Sequence, residues 1–277
     1  MASVELFKEI FRGVVLEIED IYLLEPFQIA YLPGWIPERE FASVLEHRPE
    51  IEIFLRKKCP EIEPFLDKIR KEYAAESDKP VFSESADTVL WTIADILVYS
   101  KCPEVYDSLE FHEWDFSEIA SITSLTNRIV IDAGSGTGRV ALEAAEQAEI
   151  VYAVEPVPRL RQFIRQKAAL SGISNLYVMD GFLDKLPFPD SFADVLITSH
   201  ALGWRLEDEL KEFERVVKEG GSIIHCPGSA VKDTSGNIHD VMISCEWGYR
   251  DSIYDEANGK KRKYWKQRSG ACPQFRL

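Results

Sequence analysis

The chain lacks most of what would mark a secreted, zinc-bound or membrane-spanning protein. Its 277 residues hold five cysteines, at positions 59, 102, 226, 245 and 272, and no two form a Cys-x-x-Cys pair. That argues against a zinc ribbon, which draws its ligands from closely spaced pairs, and no metal is expected. An odd, scattered set reads as reduced thiols, so the expected compartment is the cytoplasm. No run of about 20 apolar residues exists, so no membrane association is expected. The opening MASVELFKEIFRGVV carries Glu5 and Glu9 inside its apolar periodicity, which is not the pattern of a signal peptide. Basic residues are also in deficit: 32 Lys and Arg against 47 Asp and Glu, a formal net charge of −15. Such a chain repels phosphate backbones and anionic membranes, so nucleic acid is not an expected partner.

What is present divides into two parts. Residues 1–115 read as helical, a cap or substrate region with little strand character. Val4, Phe7, Ile10 and Phe11 fall at helical spacing. Pro49-Glu50 and Pro60-Glu61 each place a proline and acidic residues where a helix begins. Ser77–Glu84 reads as a linker, and Thr88–Tyr99 as one apolar helix with Asp87 as its N-cap. The stretch 103–115 is rich in aromatics, and Phe116–Leu125 reads as a further helix.

From residue 116 the pattern changes. Five short apolar runs, 128–133, 149–155, 175–179, 194–199 and 221–226, alternate with helical stretches at 140–147, 159–170 and 207–218. Such alternation predicts βαβ units on a parallel sheet whose strands are buried on both faces. Near the end, Tyr249–Tyr254 and Lys261–Lys266 flank Asn258-Gly259, a hairpin turn signal. The expected fold is therefore α/β: a Rossmann-like, seven-stranded, mostly parallel sheet with a C-terminal antiparallel hairpin and a helical N-terminal cap.

The sharpest motif is Asp132-Ala133-Gly134-Ser135-Gly136-Thr137-Gly138, between the first strand and a helix. Glycines allow a tight turn and close approach to a ligand, and the helix start offers unpaired N–H groups. The glycines are spaced GxGxG, with Arg139 where the dinucleotide fingerprint wants its third glycine. Glu155 ends the second strand, 23 residues after Asp132, where a carboxylate can accept hydrogen bonds from ribose hydroxyls.

The run VIDAGSGTGRVALEAA, with Glu155, resembles the class I S-adenosylmethionine-dependent methyltransferases. Leu186-Pro187-Phe188-Pro189-Asp190-Ser191-Phe192-Ala193-Asp194-Val195 and Phe213-Glu214-Arg215-Val216-Val217-Lys218-Glu219-Gly220-Gly221 resemble two further segments of that family's small-molecule ("type 11") branch. The resemblance covers residues 115–230 or so. It implies S-adenosylmethionine as cofactor, with Gly134, Gly136 and Gly138 against its methionine part. Asp132 would hold the loop and the amino end, with Ser135 beside it; Glu155 and Pro156 would meet the ribose. Asp180 would meet the adenine amino group, with Gly181 or Phe182 along the ring and Ser199 at the end of the fourth strand. Residues 180–186 are longer than the family's usual segment, so Asp184 competes with Asp180.

Methyl transfer is an in-line displacement that mainly demands alignment. A base is needed only when the nucleophile carries a proton. His200, just beyond the fourth strand, is the candidate base. Tyr106, His112, Trp114 and Trp204 are the candidate acceptor contacts, read as an aromatic lid or, for those before the domain, as packing between helices and sheet. His225 and Cys226 lack ligand spacing and read as buried strand residues. The expected activity is methyl transfer to a small-molecule acceptor. The alternatives are an RNA or protein methyltransferase, supported by the basic run 260–268, and a non-catalytic protein that binds the cofactor. An Asn/Asp-Pro-Pro-Tyr motif for base amino groups is absent; Thr198-Ser199-His200-Ala201 stands in its place.

Overall fold

The computed structural model describes residues 4–73, 80–110, 113–226, 237–256 and 259–269. Contacts divide the chain into two compact units, residues 1–106 and 107–277. The first unit is helical: α1 (Val4–Ile10), α2 (Pro26–Ala30), α3 (Glu38–His47), α4 (Pro49–Lys58), α5 (Glu63–Tyr73), α6 (Phe82–Thr92), α7 (Ala94–Lys101) and α8 (Pro103–Asp107). It has its own core, in which Ile29, Phe41, Val44, Ile51, Leu55 and Ile69 are fully buried. No helix among the described residues is long and apolar enough to cross a membrane.

Two local expectations differ here. The apolar helix expected at 88–99 is two helices, α6 and α7, broken at Ile93, which leaves helical geometry at φ −110° and ψ 23°. Asp87 does not cap it. Helix α6 already begins at Phe82, and the Asp87 carboxylate pairs with Lys8 at 2.8 Å.

The second unit is built on a seven-stranded sheet. After α9 (Ser117–Ala120) come β1 (Ile129–Ala133), α10 (Arg139–Ala145), β2 (Ile150–Val154), α11 (Pro158–Leu170), β3 (Leu176–Met179), β4 (Ala193–Thr198), α12 (Leu206–Val216), β5 (Val217–His225), α13 (Asn237–Ile243), β6 (Arg250–Glu256) and β7 (Gly259–Gln267). The order is β3-β2-β1-β4-β5-β7-β6. Strands β1 to β5 run parallel, while β7 is antiparallel to both β5 and β6. Asn258 of the expected turn lies outside the described residues. The parallel strands are buried on both faces by helices. One face packs Val130, Val151, Val195 and Ile224 with α10; the other packs Ile131, Leu196 and Ile223 with Phe213 of α12.

The helix expected at 116–125 is only the single turn α9. Strand β5 starts at Val217, four residues earlier than expected. Val217 pairs with Ala193 and Ser222 with Val195, so residues 218–221 bulge against Asp194 alone. The bulge needs a bare backbone: a Cβ on Gly221 would lie 2.7 Å from the Asp194 carbonyl oxygen.

The α10–β2 corner is held by one side chain. The Asn175 amide donates to the carbonyls of Ala145 and Ala148, at 2.9 and 3.0 Å. Losing both bonds leaves two unpaired acceptors, so Asn175→Ala is expected to lower stability by about 1–2 kcal/mol in urea unfolding.

Candidate functional site

Strand β1 runs out at Ala133, and the chain turns through Gly134, Gly136 and Gly138, all at positive φ, into α10. The Gly134 and Ser135 amides both donate to the Val154 carbonyl, at 2.9 and 3.0 Å, which pins the loop to the end of β2. The Ser135 hydroxyl donates back to the Asp132 carbonyl at 2.8 Å. Glu155 then closes the corner. It is 2 % exposed. One carboxylate oxygen accepts from the Gly136 amide and the other from the Val157 amide, each at 2.9 Å.

Two buried polar atoms flank the loop without a hydrogen-bond partner, Asp132 Oδ2 and Thr137 Oγ1. Buried polar groups are nearly always paired, so this pair marks a place for a ligand's donors. Burial pushes the Asp132 carboxyl up to about 7. Its folded value therefore exceeds its ordinary one, and the fold favours the protonated acid. Stability contributed by that proton is full below the ordinary value of 3.8 and is lost as pH rises through about 7. Asp132→Asn is expected to flatten that limb of a melting-temperature profile against pH; an unchanged limb would mean another group causes it.

The remaining expected residues distribute as follows. Pro156 is half-buried, and its carbonyl and that of Glu155 both accept from Arg161. The same guanidinium bonds Asp180 at 2.9 Å, tying this exposed aspartate to the Glu155 corner. Asp184 instead pairs with Arg205, at 2.7 Å, beside α12. Gly181 is packed against Val154 and Pro187, and a Cβ there would come within 2.9 Å of each. Phe182 is 46 % and Trp204 57 % exposed, beyond the carboxyl ends of β3 and β4. Ser199 is half-buried and His200 exposed, the latter at φ +55°. Ala201 lies against the glycine loop, its Cβ only 2.5 Å from where a Gly134 Cβ would be.

Trp114 is placed differently from an open lid. It is 5 % exposed and packs in the sheet core, with the Arg139 guanidinium 4.5 Å over its ring and bonded to its carbonyl. Little ring surface is left for an acceptor. Tyr106 belongs to the helical unit, edge-on to Tyr99 at 4.6 Å. His112 lies outside the described residues. Sequence reading missed Arg139 as the partner of Trp114, and a polar pair on the sheet itself, Thr198 Oγ1 and His225 Nδ1 at 2.7 Å.

A family model described as a methyltransferase domain matches residues 131–225, from β1 to the end of β5. Residues 131–225 of this chain form a methyltransferase domain by that match. The domain is similar to that of an uncharacterized methyltransferase of Geobacillus sp. (strain WCH70), 24 % identical over 133 residues, which covers 46 % of this chain and 60 % of that protein. An uncharacterized methyltransferase of Bacillus velezensis is 28 % identical over 138 residues, 50 % of this chain and 56 % of that one. Among solved structures, a SAM-dependent methyltransferase from Aquifex aeolicus aligns with a TM-score of 0.49 and 17 % identity, over 60 % of this chain and 97 % of that one. The chain thus spans little more than half the length of these two curated relatives.

The residues of the methyltransferase domain fit the cofactor of its class. Asp132 Oδ2 is a buried polar atom without a partner beside the glycine loop, and the buried Glu155 carboxylate spans that loop to the Gly136 amide, a lining of the polarity such a cofactor's amino and ribose groups need.

Proposed function

We propose that this chain transfers a methyl group from S-adenosylmethionine to a small-molecule acceptor. The observation that carries the reading is the Glu155 carboxylate, buried and bonded across the glycine loop, beside the unpartnered Asp132 Oδ2. The bound cofactor supplies an electrophilic methyl group on a sulfonium. The protein's part is to hold both reactants aligned and to keep water out. Gly134, Gly136 and Gly138 let the backbone approach the methionine end, with Asp132 and Ser135 beside them. Glu155 and Pro156 hold the ribose, and Asp180, Gly181 and Phe182 border the adenine. Ser199 and His200 stand at the end of β4, facing the acceptor with Trp204.

Two observations favour a small molecule. The exposed rings of Phe182 and Trp204 offer apolar surface beyond the strand ends, as ligand sites commonly do. The basic hairpin, in contrast, is largely spent on internal pairs: Lys260 with Asp255, Arg262 with Asp251, Lys263 with Glu118 and Lys266 with Glu214. Paired cations release few counterions, so a nucleic-acid partner gains little there.

The test is a turnover assay. The purified chain is incubated with methyl-labelled S-adenosylmethionine and fractionated metabolites, and in parallel with total RNA and total protein. Label in a metabolite fraction is the expected result. Label only in RNA or protein would overturn the small-molecule assignment, and cofactor binding without label in any fraction would favour a non-catalytic binding protein.

A further inference from the structure

Three of the chain's five histidines, His200, His225 and His239, gather around the carboxyl ends of β4 and β5. Strand register places Ala133, Thr198, His225 and Tyr264 in one lateral row on one sheet face. Ala133 directly precedes the glycine loop. Three strand spacings separate the ends of the row, on the order of 14 Å, enough for the methyl-bearing end of a cofactor and a small acceptor above it. The rings of His225 and Tyr264 stack with centroids 6.2 Å apart. From α13, His239 brings Nδ1 to within 3.1 Å of the Tyr264 hydroxyl. The neighbouring Ile238 packs on the β4–α12 loop, where a Cβ on Gly203 would lie 2.8 Å from it. Ala201 of the same loop rests on Gly134. Helix α13, this loop and the glycine loop are therefore contiguous.

The histidines are not equivalent. His225 is fully buried, and burial, followed by the charge of nearby His200, pushes it down to about 3. It stays neutral and steadies Tyr264. Burial pushes the Tyr264 hydroxyl up to about 12, so it remains a phenol. The charged groups around it are the Arg262–Asp251 pair and Asp240. His239 is half-buried, with one ring nitrogen oriented by that hydroxyl. In the tautomer whose Nδ1–H donates to the Tyr264 oxygen, Nε2 is the ring's acceptor and can serve as a base.

Resting on the methyl-transfer reading, we propose that His239 takes the proton of a hydroxyl acceptor, a phenol or enol, with Tyr264 as its positioning residue. A hydroxyl needs that help, because its oxygen attacks well only as the proton leaves. The acceptor oxygen forms the new bond with its lone pair. The carbon–sulfur electron pair stays on sulfur, and the proton rests on His239 until solvent removes it. The row itself holds hydroxyl and imidazole groups, and the carboxylate at its end, Asp251, is paired with Arg262.

The probe is 4-nitrophenol, whose ionised form absorbs visibly, added to the full chain saturated with S-adenosylhomocysteine at mildly acid pH. Wild type is expected to raise the phenolate band. His239→Gln abolishes the rise, and Tyr264→Phe, which keeps the ring stack, lowers it by about tenfold, the worth of one hydrogen bond. S-adenosylhomocysteine affinity is measured in every variant and should not change. Failure of wild type to bind S-adenosylhomocysteine would refute the methyltransferase reading itself. Binding of S-adenosylhomocysteine with no phenolate band in wild type, or with an undiminished band in His239→Gln, would overturn the assignment of His239 alone.

Discussion

Gly138→Val is expected to cost this protein about 2–5 kcal/mol, a large share of a domain's stability. Two effects add. Gly138 caps α10 at φ +83°, a left-handed conformation that a β-branched residue adopts only under strain. A Cβ there would also lie 2.8 Å from Ile164 Cγ1, in a fully buried part of α11 that cannot move aside. Gly172 separates the two. It has φ +68° with nothing within 4 Å of a new Cβ, so Gly172→Ala reports strain alone. Urea unfolding should show Gly138→Ala costing clearly more than Gly172→Ala. Equal costs would mean that the packing of α10 against α11 is looser than described.

Glu155→Ala is expected to weaken S-adenosylhomocysteine binding by about a hundredfold or more, because two charge-assisted hydrogen bonds are worth roughly 3 kcal/mol or more together. It also orphans the amides of half-buried Gly136 and buried Val157, so a loss of stability of about 1–3 kcal/mol accompanies it. Glu155→Gln is not a mild change. The carboxylate accepts on both sides, and an amide turned either way sets its NH2 against one of those N–H donors. Both variants should therefore bind poorly while keeping the sheet's circular dichroism. Wild-type affinity in Glu155→Ala would remove this residue from the cofactor site.

The parallel strands were readable because burial on both faces forces continuous apolar runs, and the glycine loop because its backbone geometry restricts residue type. The break at Ile93 was not, because Thr88–Tyr99 contains neither glycine nor proline. Asp87 looks like a cap in sequence, yet its charge is taken by Lys8, 79 residues away. The early start of β5 was hidden because Gly220-Gly221 reads as a turn, whereas close approach to Asp194 makes it a bulge. Asp132 and Glu155 stood out in the sequence by their positions at strand ends, whereas the bond from the Gly136 amide to Glu155 across the loop did not. The stacking of Trp114 under Arg139 and the row from Thr198 to Tyr264 were not legible either, since each depends on register or packing between distant segments.

The central claim is that residues 131–225 form a working S-adenosylmethionine site. Calorimetric titration of the wild-type chain with S-adenosylmethionine and with S-adenosylhomocysteine tests it most directly. One-to-one binding of both in the micromolar range is the expected result. No heat from either, with the chain folded and the ligands in excess, would contradict it.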